Sequence, residues 1–301
     1  MIGFEKIEQQ LFNLYNSNKL HHGIIIAGKK GVGKATFVEN FCKKILNDSA
    51  TFTANFSKIE KSPDKKTIGI ENIREKQKFL NHTTAISSNK FLLIDSVCET
   101  TESASNALLK TLEEPKANNF IFLIAHQLSK VLPTIKSRCL IIKIDDFSIE
   151  QFSKILSNNN IIFTKNELIF LANITEKSPA IALESGSEII KIYQIFIKSI
   201  IQNKIDDLLL KKISEKNFSY FIIEKIISHF LSQILNKTNQ LEINFIDDSE
   251  LMAIDLMIAK FSQNSILDFV NEILKNTQNS NNFHIEKKLN FINIFNQFCY
   301  V

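Results

Sequence analysis

Between Gly28 and Lys34 the chain reads Gly-Lys-Lys-Gly-Val-Gly-Lys, a spacing suited to gripping phosphate. Glycines let main-chain N–H groups wrap an anion, a following helix N-terminus adds a favourable dipole, and Lys34 can reach the outer phosphates. The apolar run Gly23-Ile24-Ile25-Ile26-Ala27 precedes the loop and the amphipathic stretch 34–46 follows it, which is the strand–loop–helix setting the motif requires. Gly28, Gly31, Val32, Gly33, Lys34, Ala35 and Thr36 are therefore the expected nucleotide-binding residues. Asp95 joins them, because it closes the apolar run Phe91-Leu92-Leu93-Ile94. An acid at the end of a buried strand is the expected second magnesium contact of a P-loop protein.

Parts of a hydrolytic site are nevertheless missing. Ala35 stands where Ser or Thr normally ligates magnesium. Thr36 is one residue late, and one helical step turns its side chain about 100° away. Ser96 follows Asp95, where hydrolysing relatives of this motif place a Glu that orients the attacking water, and Glu99 is too far along. The residues thus predict a site that holds ATP or ADP with Mg2+ weakly or not at all and does not hydrolyse it. The rival reading, an autonomous P-loop ATPase or small-molecule kinase, needs the hydroxyl and the base that Ala35 and Ser96 do not supply.

The elements that must position these residues follow from the apolar pattern. Phe120-Ile121-Phe122-Leu123-Ile124 and Leu140-Ile141-Ile142-Lys143-Ile144 read as a third and fourth strand, and 70–82 and 103–113 read as helices, the latter stopped by Pro115. Unbroken apolar strands alternating with helices predict a parallel sheet covered on both faces over 1–147. The pattern then changes. Ser148 and Gln151 have capping-box spacing, and only helices are expected beyond them. After Gly186 there is neither Gly nor Pro, and apolar residues recur at helical spacing, as in Ile223, Ile226, Ile227, Phe230, Leu231 and Ile234. Breaks are expected near 236–249 and 276–282, and no internal repeat is visible.

Composition narrows the class. The chain has 301 residues, enough for two or three domains, and a net charge of +4 that permits nucleic-acid contact without arguing for it. No apolar run approaches a membrane span and the N-terminus lacks signal-peptide character, so a cytoplasmic protein is expected. Cys42, Cys98, Cys139 and Cys299 have no metal-binding spacing, so no zinc is expected and they read as small buried residues. Only Arg74 and Arg138 among the 36 basic residues are arginines. In so lysine-biased a chain, a retained arginine points to a need for its planar, multi-donor guanidinium.

Two longer motifs carry a resemblance. Asn106-Ala107-Leu108-Leu109-Lys110-Thr111-Leu112-Glu113-Glu114-Pro115 and, downstream, Leu132-Pro133-Thr134-Ile135-Lys136-Ser137-Arg138-Cys139 resemble the NALLKxLEEP and LPTIxSRC signatures of the bacterial clamp-loader subunits of DNA polymerase III, an AAA+ family. Ile73-Arg74 and the loop residues 31–36 fit as well. The resemblance covers 20–147, extends weakly to Lys177-Ser178-Pro179-Ala180, and past 190 rests on helical character alone.

The family resemblance implies a P-loop α/β domain over 1–147, a small helical lid over 148–190 and a helical collar over 191–301. It implies hetero-pentamer partners, the gamma/tau and delta subunits, with the sliding clamp and primer-template DNA as the objects acted on and no membrane. It implies that Arg138 is an arginine finger acting in trans on ATP held by a neighbouring subunit, and that His126 sits at the strand end called sensor 1. Catalytic gamma/tau subunits carry Ser or Thr after GK, a Glu beside the strand-end Asp, four zinc-binding cysteines and a sensor 2 arginine. Here Ala35, Ser96, no cysteine cluster and Ile181 stand in those places, so the resemblance is to the non-catalytic, delta-prime kind. The missing cysteines also imply that 47–65 is a shortened or polar loop.

Overall fold

The computed structural model describes residues 1–62, 64–65, 67–81, 89–215, 219–260, 263–280 and 287–299. Three apolar runs with no polar face become the inner strands of a sheet: β1 (Gly23–Ala27), β3 (Lys90–Asp95) and β4 (Asn119–Ala125). All five residues of β1 are buried, and so are the first five of β3 and the last five of β4. Two strands with fewer buried residues, β2 (Phe56–Glu60) and β5 (Leu140–Lys143), take the edges. The order is β2-β3-β4-β1-β5 and every pairing is parallel. Parallel neighbours need crossovers, and helices supply them. α1 (Glu5–Asn16) precedes the sheet, α2 (Lys34–Leu46) and α3 (Ser49–Asn55) join β1 to β2, α4 (Ile70–Asn81) joins β2 to β3, α5 (Glu102–Glu113) joins β3 to β4, and α6 (Pro133–Lys136) lies before β5.

Four strands were expected and five are present. The expected polar loop at 47–65 holds α3 and β2 instead. Asp48 caps α3 by accepting from the Thr51 N–H at 2.9 Å. The sequence Phe56-Ser57-Lys58-Ile59-Glu60 buries only Ile59, so an edge strand was hard to tell from a polar connection. The predicted helix 70–82 is α4, with residue 82 outside the described residues.

Packing on the sheet is aromatic. Phe37 and Phe41 on α2 lie at the sheet, with Phe41 meeting Phe122 edge-on at 5.9 Å between ring centroids. Phe41, Phe91 and Phe122 are wholly buried, each stabilising the fold by about 1.5–3 kcal/mol relative to exposure. On the other face Leu92, Ile94, Leu108, Leu112, Ile121 and Leu123 form one core cluster.

The chain divides into two compact units, Met1–Gln151 and Phe152–Val301. The division falls within α7 (Ile149–Asn158), whose predicted capping box is present: Ser148 N donates to Gln151 Oε1 at 2.9 Å, and Gln151 N donates to Ser148 Oγ at 3.2 Å. Among its described residues the second unit is helical throughout, as expected: α8 (Lys165–Ile174), α9 (Pro179–Ile201), α10 (Asp207–Ile213), α11 (Tyr220–Thr238), α12 (Asp248–Lys260), α13 (Gln263–Ser280) and α14 (Lys287–Cys299). Phe170 stacks on Tyr193 at 4.5 Å, and Phe196 meets the edges of Phe230, Phe295 and Phe298. The expected break near 236–249 is the connection between α11 and α12. That at 276–282 falls partly in α13, which runs to Ser280, and otherwise outside the described residues. No described helix is long and apolar enough to cross a membrane.

Candidate nucleotide-binding site

The loop opens where β1 ends. Gly28 N donates to Ala125 O on the neighbouring strand at 3.1 Å, which fixes the start of the loop against β4. Gly31 and Gly33 then take φ of +79° and +89°, a left-handed backbone that only glycine adopts without strain. Gly33 is the N-cap of α2, so the first amides of that helix face into the loop with no side-chain cap. This arrangement fits a phosphate: unpaired helix-end donors, a favourable dipole and close backbone approach.

Lys34, the first residue of α2, is 3 % exposed. Its Nζ donates to Gly28 O at 2.7 Å and also to Lys29 O, so the ammonium folds back onto the loop that it closes. Burial lowers its pKa to about 8, with Asp95 and Cys98 opposing that shift. Lys29 leaves the loop to pair with Asp146 at 2.6 Å.

Asp95 ends β3 beside β4, where its register partner is Ile124, and His126 follows β4 by one residue. The structure therefore brings Lys34, Asp95 and His126 together at the C-terminal ends of adjacent parallel strands, where α/β sheets hold ligands. Burial raises the Asp95 carboxyl pKa, against the pull of Lys58 and Lys34. His126 Nε2 lies 3.8 Å from Asp95 Oδ1, too far for a hydrogen bond. Burial and the charges of Lys34 and Lys30 push the His126 pKa down to about 4, so the imidazole is neutral near pH 7 and the contact is not an ion pair. Its Nδ1 is buried without a hydrogen-bond partner.

The remaining predicted residues are placed as follows. Val32 is buried under the loop, Ala35 is partly buried, and Thr36 is exposed on α2, consistent with its late position. Ser96 is buried and its hydroxyl accepts from Cys98 N at 3.2 Å, so it caps a short turn. Glu99 ends that turn and pairs with Lys61 at 3.1 Å. Lys58 and Glu60 also flank Asp95, with Lys58 bridging Glu39 and Glu60. Both were missed with β2, whose single buried residue, Ile59, leaves no periodic signal. Ile181 is in the first turn of α9 in the second unit.

The magnesium ion that a P-loop implies does not fit these residues. Position 35 offers no hydroxyl, Thr36 is exposed, and Glu60 and Glu99 are already paired with Lys58 and Lys61. Among the described residues no three His, Cys, Asp or Glu side chains are grouped to hold a metal ion.

Arg138 is at the other end of the sheet. It follows α6 and precedes β5, and β5 runs parallel to β1 with Leu140 beside Ile24 and Lys143 beside Ala27. A Cβ on Gly23, the first residue of β1, would meet Arg138 O at 3.2 Å. The length of β1 thus separates Arg138 from the loop, with Gly28 roughly 16 Å from Gly23 at the rise of a parallel strand. Its guanidinium is partly exposed and meets Glu113 Oε1 at 2.9 Å, Thr134 O at 3.0 Å and Ser137 Oγ at 3.2 Å.

Residues 3–148 match the sequence model of the family described as DNA polymerase III, delta subunit. That match spans the sheet, the loop and both long signatures. Over these residues the chain is similar to the clamp-loader subunits of DNA polymerase III. Among curated relatives, the subunit delta' of Pseudomonas aeruginosa is 28 % identical over 151 residues, 44 % of this chain and 46 % of that one. The subunit delta' of Buchnera aphidicola subsp. Schizaphis graminum is 30 % identical, covering 50 % of this chain and 51 % of that one. The subunit gamma/tau of Mycoplasma genitalium is 26 % identical over 96 % of this chain and 53 % of its own. This chain spans about half the length of these relatives. Relatives of both the delta' and the gamma/tau kind are thus represented.

Proposed function

We propose that this chain is a non-hydrolysing subunit of the DNA polymerase III clamp loader, of the delta-prime kind, and that Arg138 serves a nucleotide held by a neighbouring subunit. The observation that carries this reading is the position of Arg138. It stands at the opposite end of β1 from the chain's own P-loop, a separation roughly the length of the strand, so it does not reach a phosphate bound there. A half-exposed, multi-donor cation at a domain edge suits phosphate on another molecule, where the planar fork matters and Lys is a poor substitute. Its chemical work is electrostatic stabilisation of charge spread over a transferring phosphoryl group.

The chain's own loop takes ATP or ADP weakly, and Ala35 and Ser96 leave it without the hydroxyl and the base of hydrolysis. The partners under this reading are gamma/tau and delta subunits, the sliding clamp and primer-template DNA. Residues 148–190 act as the lid and 191–301 as the collar that joins subunits.

The test is clamp loading and DNA-stimulated ATP hydrolysis by complexes reconstituted with Arg138→Lys. Trans arginine fingers contribute about 10³–10⁵ in rate elsewhere, and a smaller loss is expected where several sites fire and this residue serves one. Loading should fall with melting temperature unchanged, and wild-type loading by the variant would refute the trans role. Steady-state ATP turnover by the isolated chain, lost in Lys34→Ala, would favour an autonomous ATPase or a gamma/tau-type subunit instead.

A further inference from the structure

Magnesium is the usual companion of a P-loop nucleotide, and this site lacks the hydroxyl that normally helps to hold it. In such loops the ion takes a Ser or Thr hydroxyl after the lysine, a strand-end Asp and phosphate oxygens in strict octahedral geometry. Ala35 removes the first of these, and Thr36 lies exposed on the outer side of α2 and does not replace it. Asp95 has no lysine in direct contact, whereas Glu60 pairs with Lys58 at 2.8 Å and Glu99 with Lys61 at 3.1 Å. A neutral His126, a ligand suited to softer metals, lies beside Asp95 at 3.8 Å. The anion-binding half of the site is intact by contrast: Gly31 and Gly33 in left-handed conformation, the uncapped start of α2, and Lys34 with no carboxylate in contact.

We propose that the loop takes the diphosphate of a nucleotide as the metal-free anion, with Lys34 and the α2 amides supplying the whole of its charge compensation. This rests on the reading that the loop binds nucleotide at all. Binding moves the Lys34 ammonium from the Gly28 and Lys29 carbonyls to the phosphate, an exchange of one set of oxygen acceptors for a charged one. Because magnesium finds no protein hydroxyl here, a nucleotide already complexed with it gains nothing from the site.

The experiment is calorimetric titration of the full chain with ADP, once in EDTA and once in excess Mg2+, on wild type, Lys34→Ala and Ala35→Ser. The wild-type affinity is expected to be equal or higher in EDTA, and Lys34→Ala is expected to abolish binding in both. Ala35→Ser, which returns the missing hydroxyl on the same helix turn, is expected to make Mg2+ strengthen binding. Wild-type binding about tenfold tighter in Mg2+, a clear difference of about 1.4 kcal/mol, overturns metal-free binding while leaving the nucleotide site standing. Magnesium indifference in Ala35→Ser overturns the assignment of the effect to position 35. No ADP binding by wild type under either condition overturns the nucleotide reading itself.

Discussion

Arg138 Nη2 lies 2.9 Å from Glu113 Oε1, so the two long sequence signatures of this chain meet in one ion pair. Glu113 is the last residue of α5 and Arg138 comes 25 positions later, after β4 and α6. Both side chains are partly exposed, at 37 % and 47 %, so the pair stabilises the fold by no more than about 0–1 kcal/mol. Its consequence is orientation: one carboxylate and two acceptors near the C-terminus of α6 hold the guanidinium at the edge of the domain.

Glu113→Ala should therefore lower ATP hydrolysis by a reconstituted complex several-fold without moving the melting temperature. Its effect should vanish in an Arg138→Ala background, because Glu113 acts only through the arginine. A double-mutant cycle on the complex's hydrolysis rate measures this coupling. Additive losses would show that Glu113 acts elsewhere.

Lys34 predicts how nucleotide affinity depends on pH. Burial sets its pKa at about 8, and a bound phosphate raises it. Nucleotide binding thus takes up a proton above that value, so affinity should be level below pH 8 and fall by about tenfold per unit above it. Titration with ADP across this range checks the slope, and constant affinity up to about pH 9.5 would show that Lys34 is not the phosphate contact.

His126 predicts acid sensitivity. Its pKa is lowered from 6.5 to about 4, so the unfolded chain binds the extra proton between those values. Stability contributed by keeping this ring neutral is present above pH 6.5 and lost as pH falls toward 4. Asp95, whose carboxyl burial raises above 3.8, works in the opposite sense over its own window. In His126→Gln the stability lost between pH 6.5 and 4 should shrink relative to wild type. Urea unfolding at several pH values tests this, and an unchanged slope would mean that His126 titrates normally.

A prediction for the helical unit concerns Tyr193, whose hydroxyl donates to Glu250 Oε1 at 2.6 Å where Glu250 is 1 % exposed. Ile246 N holds the other oxygen at 2.8 Å, while His229 Nε2 stands at 3.6 Å, too far to substitute. Tyr193→Phe leaves one carboxylate oxygen without its donor and should cost about 1.5–3 kcal/mol in chemical denaturation. A loss below about 0.5 kcal/mol would mean that water or His229 replaces the hydroxyl.

Much of this protein was legible in its sequence because local chemistry dictated it. The loop 28–34 requires glycines at left-handed positions, and Gly31 and Gly33 occupy them. The inner strands announced themselves as unbroken apolar runs because both faces of β1, β3 and β4 are covered. The helical second unit followed from spacing and from the absence of breakers after Gly186. The edge strand β2 was not legible, since a strand with one buried residue leaves no periodic signal, and with it went the carboxylate and lysine that flank Asp95. Only the tertiary structure decided which distant residues meet and which are kept apart. Parallel pairing of β5 with β1 sends Arg138 to the end of the sheet away from the loop, and parallel pairing of β3 with β4 brings Asp95 and His126 together. Strand direction and order are long-range choices, fixed by how crossover helices return the chain across the sheet, and no local run of residues encodes them.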